Sequence, residues 1–98
     1  MSKAYISGPI SGLPFDKVEQ AFNDAEIRLQ EEGYEVVNPL KNGLTKDHSW
    51  SEHMKADIKL LMDCDTIYLM KNWKKSEGAT IEREIALSLR YDIIEQIK

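Results

Sequence analysis

Three short apolar segments, each followed by a stretch with helical spacing, constrain this chain more than any other feature. "KAYIS" (Lys3 to Ser7), "YEVVNP" (Tyr34 to Pro39) and "DTIYLM" (Asp65 to Met70) read as strands bounded by turn residues. After the first, Phe15, Val18, Phe22, Ala25 and Leu29 recur at intervals of three and four, an amphipathic stripe that starts after Pro14 and stops at Gly33. Pro39 ends the second strand because proline has no N–H to give to a ladder. A polar loop, Lys41 to Ser49, leads into a second helix from about Trp50 to Asp63, with Trp50, Met54, Ile58 and Leu61 on one side. The third helix begins near Ser76, which can cap it, and continues to about Arg90. "DIIEQI" beyond it is a weak final strand or a tail.

This β-α-β-α-β-α order predicts one α/β domain over residues 1–98, with a parallel sheet and helices on its faces. The expected strand order is 2-1-3, extended to a fourth strand if the tail pairs. An antiparallel hairpin of the first two strands would leave the Phe15–Leu29 stripe without a sheet to cover. In parallel sheets, ligands collect beyond the carboxyl ends of the strands, where the strand order reverses. "SGPISG", "NPLKNG" and "KNWKKSEGA" all fall at that edge. The loops are aimed at one site.

Composition narrows the partners. The net charge is −4, and the one basic cluster, Lys71, Lys74 and Lys75, is too small to track a nucleic-acid polymer. It suits a single phosphate or a solvated loop. No apolar run approaches the ~20 residues of a membrane span, and the N-terminus lacks a signal-peptide pattern, so the cytoplasm is the expected location. Cys64 is alone and sits between two aspartates, which disfavours its thiolate. His48 and His53 do not share a helical face and lack a third ligand at metal spacing, so no metal site is expected. With 98 residues, a deep cleft is hard to enclose in one copy. A homodimer or larger homo-oligomer is therefore expected, with Trp50, Trp73 and the Met54 helix as interface candidates.

The segment "SEGATIERE" carries two glutamates two residues apart, roughly 200° apart around a helix axis. Glu84 lies among Thr80 and Ser88 and faces water. Glu82 lies on the stripe of Ile85, Ala86 and Leu89, one turn after Gly78. Asp57 is placed in the same way between Met54 and Leu61. A carboxylate on an apolar stripe is either an edge group that reaches solvent or a group facing a cleft. Two of them on consecutive helices are the minimum equipment for splitting a glycosidic bond. In "SGPISG", backbone N–H groups around Gly8 and Gly12 and the hydroxyls of Ser7 and Ser11 suit a sugar hydroxyl or a phosphate.

"YISGPISG", "DIKLLMDCDTIYLM" and "SEGATIEREIA", in that order, resemble the nucleoside 2-deoxyribosyltransferase-like superfamily, and within it the small DUF4406-type branch. The resemblance covers nearly the whole chain. It implies a small flavodoxin-like (Rossmann-like) three-layer sandwich, sites completed by a neighbouring subunit, and cleavage of the N-glycosidic bond of a deoxynucleoside or its 5′-monophosphate without a cofactor. By the same resemblance Glu82 is the nucleophile, Tyr5 orients it, Asp57 contacts sugar or base, and Asp65 falls at another acidic position of the pattern and counts among the substrate-binding residues. Ser76 and Gly78 seat the 5′-phosphate, together with the Ser7, Gly8, Pro9, Ile10 and Ser11 loop. Two positions depart from the pattern: Asn72 to Lys75 replaces an acidic element of some relatives, and "GPISGL" lacks an arginine found in the monophosphate-cleaving ones. The alternative is a nucleotide-binding or interaction module that keeps the fold without turnover.

Overall fold

The computed structural model describes residues 2–97. Its elements follow as β1 (Lys3–Ser7), α1 (Phe15–Glu31), β2 (Glu35–Val37), α2 (Trp50–Met62), β3 (Thr66–Leu69), α3 (Glu77–Ser88) and β4 (Asp92–Glu95), with 3-10 turns at Pro39–Lys41 and Trp73–Lys75. The four strands form one parallel sheet in the order β2-β1-β3-β4. The tail is thus a strand, paired with β3 from Thr66↔Asp92 to Leu69↔Glu95.

Side chains alternate across a strand, and β1 uses this to serve two cores. Ala4 and Ile6 pack with Val18, Phe22, Ala25 and Leu29 of α1 and with Tyr68 and Met70. Tyr5 faces the other way, into Leu61, Cys64, Ile67, Leu69 and Ala86. One helix therefore covers one face and two helices the other, a three-layer flavodoxin-like sandwich. α1 stops where Gly33 takes a left-handed φ of 95°, which lets the Tyr34 N–H turn back to the Leu29 carbonyl at 3.0 Å. α2 starts on a capping box: the Ser49 hydroxyl accepts from the Glu52 N–H, and the Glu52 carboxylate accepts from the Ser49 N–H.

The expected stripes are right in their middles and wrong at their ends. Phe15 is 62% exposed, Trp50 47% and Leu89 45%, the first two opening their helices and the third just past the end of its own. The cause is length. A 17-residue helix runs about 25 Å, whereas a five-residue strand runs about 17 Å, so helix ends overhang the sheet. No helix among the described residues is long and apolar enough to cross a membrane.

Candidate functional site

The strand order reverses between β1 and β3, and a cavity of about 820 Å³ opens beyond the carboxyl ends there. That size suits a drug-sized or nucleoside-sized molecule. Register fills its floor. Tyr5 stands level with Ile67 on β3, and Ser7 with Leu69, so both β1 side chains face α3. α3 brings Glu82 to meet them. The Tyr5 hydroxyl donates to Glu82 Oε2 at 2.7 Å and the Ser7 hydroxyl donates to Oε1 at 2.7 Å. Glu82 is 5% exposed and still lines the cavity.

These surroundings set its acidity. Burial raises the Glu82 carboxyl to about 7; the Ser7 and Tyr5 hydrogen bonds oppose that rise, and the Asp57 charge adds to it. Tyr5 is raised well above its ordinary value by burial first and then by the Glu82 and Asp57 charges, so it stays a donor. Asp57, 7% exposed, is also raised, chiefly by burial, against the pull of its Asn42 hydrogen bond and of His53. Burial pushes the Cys64 thiol up to about 11, more than the flanking aspartates do.

Glu82, Asp57 and Tyr5 thus line one cavity, with Gly8, Pro9, Ile10, Ser11, Ser76 and Gly78. Glu84 is exposed and pairs with Arg83 at 3.6 Å. Gly8 has a packing reason: a Cβ there would lie 2.8 Å from Met70 Cβ and Sδ, so only glycine lets this turn close over β3. Two expected substrate contacts are corrected. Ser7 is fully buried behind Glu82 and does not line the cavity; it serves the carboxylate instead. Asp65 precedes β3 and so sits at the amino edge, opposite the cavity, where its carboxylate accepts from the Lys3 N–H and the Thr66 hydroxyl.

At the third wall, Ser76 caps α3, its hydroxyl accepting from the Ala79 N–H at 3.1 Å, and Lys75 lines the cavity beside it. Lys74 and Arg83 lie over the Trp73 ring, 5.8 Å and 5.1 Å from its centroid. The loop from Asn42 to His48 forms the outer wall. Asn42 was not singled out in the sequence, yet its amide donates to Asp57 Oδ1 at 2.8 Å. The usable signal was on α2: His53 and Asp57 are four apart, hence on one helical face, and the loop must meet that face. Among the described residues, no three His, Cys, Asp or Glu side chains group in a way that could hold a metal ion.

A domain family described as "Domain of unknown function (DUF4406)" matches residues 2–95. The chain belongs to the DUF4406 family. No curated protein matches this DUF4406 chain in sequence. Among solved structures it is similar to a 2-desoxiribosyltransferase from Leishmania mexicana, with a TM-score of 0.72 and 20% identity. The match covers 97% of this chain and 63% of that one, so the DUF4406 domain spans less than two thirds of that protein's length. At this identity the likeness is one of fold. The shared feature is the parallel α/β architecture.

Proposed function

We propose that this DUF4406 domain cleaves the N-glycosidic bond of a deoxynucleoside or a deoxynucleoside 5′-monophosphate, as an N-glycosidase or deoxyribosyltransferase. One observation carries the reading: a buried carboxylate, Glu82, is held at both oxygens by Tyr5 and Ser7 and still borders a cavity of nucleoside size. The deoxyribosyltransferase fold and the motif resemblance support the same chemistry. In this reading the ionised Glu82 attacks C1′ as the C1′–N bond breaks, and the base leaves with the bonding pair and gains a proton. Asp57 orients the sugar or assists that protonation. Water then opens the glycosyl ester to free sugar and carboxylate, or a second base takes the sugar. Ser76, Gly78 and Lys75 seat a 5′-phosphate at the start of α3.

The cavity is open, and Phe15 and Trp50 stand exposed on its rim. A homodimer or larger homo-oligomer that covers this rim completes the proposal; a monomer at micromolar concentration in sedimentation would count against that part. Of the other interface candidates, Met54 is buried and Trp73 packs into the Tyr5 core, which leaves Trp50 available.

A second reading, a nucleotide-binding module without turnover, draws on the acidity of Glu82. With its carboxyl raised to about 7 by burial, Glu82 holds its proton more readily than an ordinary carboxylate, which works against a nucleophilic role. Incubation with a panel of deoxynucleosides and their monophosphates, followed by chromatography for free base, separates the two. Base release that disappears in Glu82→Gln supports cleavage. A ligand-induced thermal shift without base release supports the binder.

A further inference from the structure

The outer wall of the cavity is tied to α2 by a short polar chain in which Asn42 and His53, residues the cleavage reading does not use, meet Asp57. The Asn42 amide nitrogen lies 2.8 Å from Asp57 Oδ1 and 3.2 Å from His53 Nδ1, and the Asn42 oxygen accepts from the Leu44 N–H at 2.9 Å. His53 Nε2 lies 2.9 Å from the Thr45 carbonyl. A carbonyl only accepts, so Nε2 carries the hydrogen. With the hydrogen on Nε2, Nδ1 can accept the second Asn42 hydrogen. Both Asn42 amide hydrogens and its oxygen are matched in one arrangement, and reversing the amide would place its oxygen against the Asp57 carboxylate.

From this we infer that Asn42 and His53 are positioning residues. They aim the Asp57 carboxylate into the cavity and, through the same bonds, hold the 42–48 loop against α2 as its outer wall. The loop and the carboxylate are one mechanical unit. Leu44, Thr45, Lys46 and His48 line the cavity from that loop, so the unit also sets how wide the site is beside Asp57. The role of Asp57 in cleavage rests on the proposed function; the coupling does not.

Asn42→Asp is the decisive variant. It keeps an oxygen for the Leu44 N–H, as an Asx turn does, and so preserves a loop that needs only that bond. It loses both donated hydrogens and sets a second carboxylate against Asp57. Amide hydrogen exchange is to be measured over residues 43–48, with thermal unfolding as a check that the fold persists. The expected result is a roughly tenfold or greater rise in exchange in Asn42→Asp, matched by His53→Phe, which loses both ring nitrogens. On any deoxynucleoside monophosphate that the unmutated protein cleaves, kcat falls roughly tenfold or more in Asn42→Asp, while KM changes by a smaller factor. Unchanged exchange in both variants overturns the proposal. If the unmutated protein cleaves nothing, the cleavage reading falls while the exchange data still decide the coupling.

Discussion

The two faces of the sheet are built from the same four strands and obey opposite rules. On the α1 face, Ala4, Ile6, Phe22 and Leu29 form a core of hydrocarbon whose contribution is burial alone. On the α2/α3 face, the intervening β1 residues Tyr5 and Ser7 hold a carboxylate that burial penalises when it is charged. Adjacent residues of one strand thus stabilise the fold on one side and tolerate an unfavourable group on the other. The α1 core is apolar throughout. The core opposite, around Leu61, Ile67 and Leu69, gives way at its cavity edge to a buried carboxylate, which is the pattern of a site.

The largest effect expected is at Glu82. Glu82→Gln removes the carboxylate proposed to attack C1′, and any base release should fall by roughly 10⁴-fold or more. Stability should move the other way. A carboxyl raised from 4.5 to about 7 binds its proton more tightly in the folded state, so the unmutated protein loses stability as pH rises through that window. Glutamine has no such dependence. The variant should therefore be more stable at pH 8 by about 3 kcal/mol, with the gap closing below about pH 4.5 in thermal unfolding curves. A variant that is less stable at pH 8 would erase the contrast between the faces. Phe22→Ala provides the reciprocal case on the hydrocarbon side. It should cost about 3–5 kcal/mol by denaturant titration and leave the acid limb of the pH–rate profile where it was.

The fold is readable from sequence because periodicity reports burial directly. Val18, Phe22, Ala25 and Leu29 are an α1 face wherever the helix lies, and parallel strands follow from the helices between them. Periodicity does not report where a neighbour ends, so it assigns Phe15, Trp50 and Leu89 to stripes whose ends lie exposed. Glu82 and Asp57 stand out in the sequence as charges on apolar faces. Ser7 does not, because a serine at a strand end looks like a turn residue until the register sets it level with Leu69 and facing α3. Asp65 shows the reverse error. Only the family resemblance suggests it as a substrate contact, and strand polarity places it at the edge away from the cavity. Asn42 lies in a loop without any period, and only the fold brings it to Asp57.

Ser7 offers a finer test of the polar face. Its hydroxyl supports the ionised form of Glu82, so Ser7→Ala should raise the Glu82 carboxyl further and move the acid limb of the pH–rate profile towards alkaline pH. Activity should drop roughly tenfold at pH 6 and much less at pH 8, the scale of one hydrogen bond to a charged group. A uniform loss at both values would mean that Ser7 packs and does not tune. Tyr5→Phe should shift the limb in the same direction, since Tyr5 opposes the rise from the second oxygen.

The smallest effect expected is at Ser76, where the two kinds of role meet in one side chain. Its hydroxyl accepts from the Ala79 N–H and so caps α3, and it also borders the cavity beside Lys75. Ser76→Ala should cost about 1 kcal/mol of stability as a lost cap. It should also narrow any preference for monophosphates over nucleosides, by roughly 1–2 kcal/mol if the hydroxyl bonds the phosphate. Alanine alone cannot separate these, because a frayed helix start would weaken phosphate binding as well. Ser76→Asp can. Aspartate caps as well as serine and its charge suits the positive end of the helix, so stability should be kept. The same charge repels a phosphate from the site. Ser76→Asp should therefore fold like the unmutated protein, bind nucleosides as it does, and lose the monophosphate preference, as measured by calorimetry on matched pairs. Retained preference in Ser76→Asp would reduce Ser76 to a cap and move the anion site elsewhere on the rim.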